Sequence, residues 1–377
     1  GYFVLCHGSS ILSVMHRALR IAQHRGPHAA AIRGLASAGQ ATEAVVMRAT
    51  GGVEVLEYGT KTLPALGDDE LLVELAGAGV NPVDTYIRKG VYAHQPALPF
   101  TPGLEGAGQV VAAGVRAPQE VGEAVAFTVT SSDGGFLSMT GSYARHCVVK
   151  AALALRLPAT LDPVAAAAVP IAYLTAHRAL FHVAQTRPND RVLIRGASGA
   201  VGLAAVHLAR YFGGPGRVVV GTASAGAASA AGEQVTRFGA TACTAHDHEA
   251  AAEQGPFDVI IEHVARFNLD SDIRLLAPRG RIVVVGSPPQ ADGRSLTEVD
   301  VRQLMTREAS IRSVFLWSQT AEERGAAAKD IYAAFEGSDL APPVHKMPLR
   351  EAAAAQTMVD PANAGQKTHV GKLVLVP

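Results

Sequence analysis

Cysteine is scarce in this sequence of 377 residues. The three that occur, Cys6, Cys147 and Cys243, lie far apart along the chain. A four-cysteine zinc site needs close pairs of cysteines, and a disulfide framework needs an even, regularly spaced set of them. The scarcity therefore argues against both features and fits a reducing compartment.

Net charge and long apolar runs are lacking as well. The 33 Lys and Arg residues balance the 33 Asp and Glu residues, and the pI is near 7.4. Nucleic-acid binding is disfavoured, because phosphate backbones attract an excess of positive charge. We also predict no membrane span, since no run of about 18 consecutive uncharged apolar residues occurs. The 48% hydrophobic residues suffice for a sizeable core, in two domains at this length.

Acidic residues are absent from the first 42 positions. In the same stretch, an Ala-rich run that begins at Met15 contains Arg17, Arg20, Arg25 and Arg33. An acid-poor, Arg-rich composition is typical of mitochondrial transit peptides. We therefore interpret residues 1–42 as a presequence and expect a protein of the mitochondrial matrix, alone or in a mitochondrial assembly. A disordered extension on a cytoplasmic protein is the alternative.

The rest of the chain divides by its hydrophobic pattern. Short β-rich runs extend from residue 43 to about 157, and the C-terminal KLVLV returns to this pattern and is expected to rejoin them. Between them, RVLIRG, RVVVGTA, DVIIEHV and GRIVVVGS predict buried parallel strands, and VGLAAVHLARYFG and AASAAGEQVTRFGA predict helices. We predict an α/β fold, with a Rossmann doubly wound parallel sheet at 161–341 and a β-rich domain from 43–160 and 342–377.

A loop of small residues follows the strand RVLIRG. It leads into the predicted helix and consists of Gly196, Ala197, Ser198, Gly199, Ala200, Val201 and Gly202. Small residues let the backbone approach a pyrophosphate, and the N-terminus of a helix stabilises its negative charge. The strand, the tight turn and the helix together predict a dinucleotide-binding site. A tight turn without a ligand is the structural alternative.

The residues after the second predicted strand bear on the choice between NAD and NADP. An acid there would bind the ribose diol of NAD, and a basic residue would bind the phosphate of NADP. The segment GTASAGAASAAG has neither, which leaves Thr222, Ser224, Ser229 and backbone amides as candidate donors. His246, after the third strand, is a candidate for the adenosine side. We expect NADPH, with NADH not excluded.

Six motifs follow one another between about Ala44 and Val376. They are GVNPVDTYIRKGVY, LPFTPGLEGAG, VPIAYLTAHRAL, RVLIRGASGAVGLAAVHLAR, VIIEHVARFNL and GRIVVVGS. In this order and spacing they resemble the medium-chain dehydrogenase/reductase superfamily, and specifically its zinc-independent, zeta-crystallin-like quinone oxidoreductases. The resemblance implies that the β-rich part is a GroES-like substrate domain and that the cleft beside the Rossmann domain holds NADPH. It also implies a homodimer, joined through edge strands of the Rossmann sheets, or a tetramer.

The zinc ligands of the superfamily have no counterparts here. Asn81 and Leu104 stand where the zinc enzymes carry a cysteine and a histidine. The third ligand of those enzymes is a cysteine that would fall at about 169–171, where this sequence has none. Glu105 remains, and one carboxylate cannot hold a catalytic zinc, which needs three protein ligands. We therefore expect no zinc and, without a Lewis acid, no alcohol dehydrogenation. Quinones and α,β-unsaturated carbonyls are the expected acceptors, because hydrogen bonds alone can stabilise their developing oxyanion.

The resemblance also assigns residues to the substrate side of the cleft. It places Asn81 beside the nicotinamide ribose or the substrate, and Tyr86 and Tyr92 at the substrate mouth. Tyr86 is the predicted orienting donor and a candidate proton source, although a phenol with a pKa near 10 is a poor acid at neutral pH. Merely covering the cleft is the alternative role of both tyrosines.

Further residues near these motifs receive simpler interpretations. The resemblance assigns Thr175, Gly286 and Ser287 to the nicotinamide side. We interpret Trp317 as a wall of the cleft or a dimer surface, and Asp84 as a cap of the turn or helix that follows Asn81. Arg88 and Lys89 are interpreted as a solvated face, with phosphate binding as the less favoured alternative.

Three functions are consistent with these residues. The first is an NADPH-dependent quinone reductase that holds its substrate with Asn81, Tyr86 and Tyr92. The second is a 2-alkenal or enone reductase that uses the same site. The third is a non-catalytic accessory, structural or RNA-binding protein with a vestigial coenzyme site, favoured by the missing basic residues after the second strand. The intact glycine loop favours an enzyme.

Overall fold

The computed structural model describes residues 39–129, 141–224, 226–290, 293–360 and 369–377. The predicted presequence lies outside these ranges except for its last four residues, so it stays a prediction. The described strands are β1 (Ala41–Met47), β2 (Leu56–Thr62), β3 (Glu70–Gly79), β4 (Glu105–Ala113), β5 (Ala124–Thr128), β6 (His146–Lys150), β7 (Ala154–Arg156), β8 (Val192–Ile194), β9 (Val219–Thr222), β10 (Ala242–Thr244), β11 (Phe257–Glu262), β12 (Leu276–Val284), β13 (Ser310–Ser313), β14 (Val344–Pro348) and β15 (Lys372–Val376).

The described α-helices lie between and beside these strands. They are α1 (Pro82–Lys89), α2 (Pro163–Ala166), α3 (Pro170–His177), α4 (Ala200–Gly213), α5 (Ala230–Arg237), α6 (His248–Ala252), α7 (Ala265–Leu275), α8 (Val301–Thr306), α9 (Ala321–Glu336) and α10 (Ala352–Val359). In the described ranges, none of the helices is long and apolar enough to cross a bilayer.

A six-stranded parallel sheet forms the second half of the chain. Its strand order is β10-β9-β8-β11-β12-β13, and every neighbouring pair in it is parallel. Strands β8 and β9 are buried along their whole length, which explains their continuous apolar sequences. When its six strands are renumbered 1 to 6 along the chain, starting from β8, the order is 3-2-1-4-5-6. This is the order of a doubly wound dinucleotide-binding fold. The predicted α/β fold class is confirmed.

A second, β-rich sheet precedes and follows the Rossmann sheet in sequence. Its order is β14-β15-β3-β4-β5-β7, with β6 also paired to β3. The C-terminal strand β15 pairs antiparallel with β3, where Val374 lies opposite Gly79. The KLVLV segment therefore rejoins the β-rich sheet, as predicted, and brings Lys372 into its interior. The exact domain boundaries stay predictions.

The order of the Rossmann sheet places the glycine loop. The strand order reverses between β8 and β11, and such switch points at the carboxyl ends of parallel strands are where ligands bind in this class of fold. The loop that follows β8 begins at Arg195 and Gly196, and the loop that follows β11 begins at His263. These two loops contact each other, because His263 Nδ1 lies 2.7 Å from the carbonyl oxygen of Arg195.

Candidate active site

The glycine loop has the geometry that a pyrophosphate requires. Gly196 adopts a φ of +65°, in the left-handed region that favours glycine. A Cβ on Gly202 would lie 2.4 Å from the carbonyl oxygen of Gly196, so helix α4 packs directly on the loop. The N-cap of α4 is Gly199, which offers no side chain to the first N–H groups of the helix. Those groups and the helix dipole fit the negative charge of a dinucleotide.

Thr222 links the glycine loop to His246, on the predicted adenosine side. Its buried Oγ1 accepts a hydrogen bond from the N–H of Gly196 (3.1 Å) and lies 2.9 Å from Nδ1 of His246. Burial, with a smaller contribution from Arg195, lowers the pKa of His246. Because a lowered pKa keeps the imidazole neutral at pH 7, His246 can offer a coenzyme a hydrogen bond but no charge. Ser224 is exposed in the turn that follows β9.

Ser229, a candidate phosphate donor, is engaged elsewhere. Its Oγ accepts a hydrogen bond from the N–H of Gly232 (3.1 Å) and donates one to the carbonyl oxygen of Gly226 (2.8 Å). It is therefore the N-cap of α5, a position that serine favours. Among the side-chain donors predicted for the phosphate in this segment, Thr222 and Ser224 are the ones not used as a helix cap.

The predicted nicotinamide side lies after strands β11 and β12. The carbonyl oxygen of Gly286 accepts a hydrogen bond from the N–H of Ala265 (3.1 Å), and Ser287 Oγ accepts one from Arg266 (3.0 Å). These bonds join the segments that follow β11 and β12. Thr175 lies buried on α3.

A buried acid at the end of β11 was not predicted. Burial, together with the neighbouring Asp272, raises the pKa of Glu262 above its ordinary value. Its carboxyl accepts a hydrogen bond from Asn268 Nδ2 (3.2 Å). The sequence signal for it was an acid directly after the apolar run VII, at the end of strand β11.

Asn81 begins helix α1 and is buried. Its backbone N–H donates to Asp84 Oδ2 (2.8 Å) in a capping box, which confirms the predicted capping role of Asp84. Its side-chain Nδ2 donates to Glu105 Oε1 (2.9 Å), and its Oδ1 accepts from Lys372 Nζ (2.5 Å). Lys372, from the far end of the sequence, was not predicted here.

The two tyrosines of the substrate loop are half-buried. Burial, followed by the charge of Asp360, raises the pKa of Tyr86 to about 12, and burial also raises the pKa of Tyr92. Both phenols therefore stay protonated and can donate hydrogen bonds, but the raised pKa argues against Tyr86 as the proton source. Trp317 Nε1 donates to the hydroxyl of Tyr92 (3.2 Å), which makes Trp317 a neighbour of the predicted substrate mouth.

Arg88 is not on a solvated face, and that prediction was wrong. Its side chain is 2% exposed, and it donates from Nε to Gln356 Oε1 (2.7 Å) and from Nη1 to the carbonyl oxygen of Gly51 (2.7 Å). It also forms an ion pair with Asp360. Lys89 Nζ lies 2.5 Å from the same carboxylate. The cause is helix α10, which packs on α1 and covers a face that appears polar in the sequence.

The residues at the superfamily's zinc position do not fit a zinc ion. Leu104 is apolar, and Asn81 is held by hydrogen bonds through both ends of its amide. Glu105 Oε1 is paired with the Lys372 ammonium, and its Oε2 accepts from the N–H of Ile171 (2.7 Å). Within the part of the chain that the structure describes, no three His, Cys, Asp or Glu residues are grouped to hold a metal. A carboxylate already neutralised by an ammonium is a poor partner for a dication.

Asp84 gives a testable pH dependence of stability. Burial raises its pKa from 3.8 to about 7. Between these values the folded protein binds a proton that the unfolded chain has lost, so rising pH favours unfolding by at most about 1.4 kcal/mol per pH unit. Below pH 3.8 both states are protonated, and above about 7 both are ionised. The effect is therefore confined to the window between them.

The variant that tests this effect is Asp84→Asn. An amide keeps the acceptor for the N–H of Asn81 and the hydroxyl of Tyr143, and its NH₂ replaces an oxygen that has no partner in the described structure. In chemical denaturation between pH 4 and 8, we expect the wild type to lose stability relative to Asp84→Asn as the pH rises and the difference to level off above about pH 7. Parallel curves for the two proteins would contradict the raised pKa.

Comparison with known proteins adds to this geometry. Residues 67–159 match the family model described as alcohol dehydrogenase GroES-like domain, and residues 200–330 match the one described as zinc-binding dehydrogenase. The chain is 35% identical over 340 residues to a quinone oxidoreductase of Lama guanicoe, covering 86% of this chain and 94% of the relative.

Solved structures show the same fold. A mycobacterial protein complexed with NADPH is 26% identical, with a TM-score of 0.74 over 89% of this chain and 100% of that one. An NAD-dependent alcohol dehydrogenase is also 26% identical, with a TM-score of 0.75 over 89% of this chain and 99% of that one.

Proposed function

Because this chain belongs to the medium-chain dehydrogenase/reductase superfamily, in the family of the quinone oxidoreductases, we propose that it transfers reducing equivalents from NADPH to a quinone. The observation that carries the proposal is a glycine loop of dinucleotide-binding geometry in a protein whose zinc position is filled by an amide, a carboxylate and an ammonium. A reaction that needs no Lewis acid fits that combination. We propose accordingly that the protein uses no zinc.

Different residues of the chain have different roles in this reaction. The N-terminus of α4 binds the pyrophosphate, and Thr175, Gly286 and Ser287 line the nicotinamide side. NADPH supplies a hydride when it is bound. Tyr86 and Tyr92 donate hydrogen bonds to the acceptor oxygens and present flat rings to an aromatic substrate. Since both phenols have a raised pKa, the proton that completes the reduction comes from solvent.

NADPH is proposed over NADH on two grounds. No acid follows β9 to bind the ribose diol of NAD, and a protein of the same fold was solved with NADPH. Ser224, exposed after β9, and the neutral His246, whose Nδ1 is held by the buried Thr222, offer hydrogen bonds to a phosphate without a fixed positive charge. Preference for NADPH should therefore be modest.

An enone or 2-alkenal reductase is the second proposal for the same site. Such acceptors also develop an oxyanion that hydrogen bonds can stabilise, so the same donors serve. The accessory, structural or RNA-binding alternative requires a coenzyme site that no longer binds. No binding of NADPH together with no turnover on any acceptor would favour this non-catalytic role over both enzymes.

Turnover by the full chain tests the function. We expect oxidation of NADPH, and less of NADH, with ortho- or para-quinones. Tyr86→Phe should lower kcat about five- to tenfold, because one hydrogen bond to the developing oxyanion is lost. Tyr58→Phe is the matched control, since that phenol is 47% exposed on β2. Failure of every quinone and enone with both coenzymes would contradict the enzymatic proposal, and an unchanged rate in Tyr86→Phe would remove its donor role.

Location and assembly are proposed on the sequence. We propose import into the mitochondrial matrix on the composition of residues 1–42. A reporter fused to these residues that stays in the cytosol would contradict it. A homodimer or tetramer is proposed through an edge strand of the Rossmann sheet, where β10 and β13 are the two edges.

A further inference from the structure

Lys372 is a buried lysine at the start of strand β15. It is 4% exposed, and its Nζ donates to Asn81 Oδ1 and forms an ion pair with Glu105. The carboxylate of Glu105 is itself fully buried. Because a buried charge is costly unless it is paired, the ammonium and the carboxylate depend on each other.

The partners of Lys372 stand at the beginnings of two helices. Asn81 is the N-cap of α1, which carries Tyr86. Glu105 Oε2 accepts the N–H of Ile171, the second residue of α3, which carries Thr175. One ion pair thus holds the N-termini of the helices that present the predicted substrate and nicotinamide residues.

The residue before Lys372 is bonded to the glycine loop. The N–H of Gly371 donates to the carbonyl oxygen of Ser198 (2.9 Å). Gly371 has a φ of +76°, and a Cβ there would lie 2.2 Å from the carbonyl oxygen of Pro343, so the backbone at this point is tightly enclosed. Lys372 is therefore linked to the glycine loop through one closely packed residue, Gly371.

We propose that Lys372 is a positioning residue that fixes Asn81 and aligns helices α1 and α3 with the glycine loop. Its Nζ donates to Asn81 Oδ1 while Asn81 Nδ2 donates to Glu105 Oε1, so both ends of the amide are specified and the side chain cannot flip. Alignment of the acceptor with the nicotinamide governs the rate of hydride transfer. Coenzyme affinity depends instead on the glycine loop, whose bond to Gly371 is a backbone bond and is kept in any Lys372 variant.

The test uses the full chain and three variants. In Lys372→Met, we expect kcat to fall about 20-fold, whereas the Kd of NADPH changes by less than about threefold. Adding Glu105→Gln should recover at least about fivefold of the lost kcat. The recovery has a chemical reason: the amide removes the charge that Lys372→Met leaves unpaired, and its oxygen still accepts the N–H of Ile171 at the start of α3. Lys346→Met, exposed on the neighbouring strand β14, is the matched control and should behave as the wild type.

Two results would overturn the proposal. One is a kcat in Lys372→Met within about twofold of the wild type. The other is a Kd for NADPH that rises as much as kcat falls, with no recovery in the double variant, because this is the behaviour of a residue that only supports the fold.

This proposal rests on the proposed function, because the reaction whose reactants Lys372 aligns is the proposed hydride transfer. A measurement that needs no turnover therefore distinguishes a failure of the alignment from a failure of the proposed function. If the wild type binds NADPH but reduces no acceptor, the proposed function fails, and the fluorescence of bound NADPH then tests the alignment of the nicotinamide. The proposal expects a weaker emission enhancement in Lys372→Met and its return in the double variant. Identical emission from the wild type and Lys372→Met overturns it.

Discussion

Gly202→Ala should weaken NADPH binding by a factor of about 30 or more, an effect of about 2 kcal/mol. The added Cβ would lie 2.4 Å from the carbonyl oxygen of Gly196 and 2.6 Å from the Cα of Ala197. Both are backbone atoms, so relief requires the loop or the helix to move. A pyrophosphate needs close approach of this same backbone, so the displacement falls where binding is most sensitive. Fluorescence titration of NADPH measures the loss.

The matched control is Gly325→Ala. Gly325 lies inside helix α9, and a Cβ there would meet no atom within 4 Å. Alanine is the better helix former by about 1 kcal/mol, so this variant should bind NADPH as the wild type does and unfold at the same or a higher temperature. Circular dichroism of Gly202→Ala checks that the fold is retained. Wild-type affinity in that variant would show that the loop does not carry the coenzyme.

The Rossmann half of the fold could be predicted because its signals are local. RVLIRG and DVIIEHV are apolar on both faces, and this occurs when parallel strands are covered by helices on both sides. The glycine loop was predictable for the same reason, since strand, turn and helix are consecutive in the sequence. The β-rich pattern from residue 43 was less exact, because Val53–Val55 form a 3₁₀ turn before strand β2 begins at Leu56.

The rest of the site depends on contacts between distant segments. Asn81 and Lys372 meet although 291 positions separate them, and nothing near either residue indicates the other. KLVLV could be recognised as a strand, but its first side chain faces a buried carboxylate only because β15 pairs with β3. Glu105 was noted as a ligand without companions, and the structure supplies a different companion from the opposite end of the chain.

Arg88 is the clearest case in which tertiary contacts overrode a local pattern. Next to Lys89 at the end of a short helix, it has the sequence of a solvated face. Helix α10 reverses this, because Gln356 and Asp360 cover the guanidinium and accept its hydrogen bond and charge. A planar guanidinium that binds a carbonyl, an amide and a carboxylate at once is not replaceable by an ordinary apolar side chain.

Arg88→Met should therefore lower the free energy of unfolding by about 3 kcal/mol, because the carbonyl oxygen of Gly51 and the amide of Gln356 lose a charged donor inside the protein. Arg48→Met is the matched control. Arg48 pairs with Glu57 on the surface, where the two side chains are 65% and 58% exposed, and the expected loss is below about 1 kcal/mol.

Chemical denaturation of the two variants side by side makes the comparison, and Arg88→Lys refines it. Lysine keeps the charge near Asp360 but has no fork to reach both Gly51 and Gln356, so its stability should fall between those of the wild type and Arg88→Met. Equal losses in Arg88→Met and Arg48→Met would mean that Arg88 is solvated in solution, as its sequence pattern indicates. A large loss of stability confined to the Arg88 variants would instead establish that α10 anchors α1, the helix that presents Tyr86.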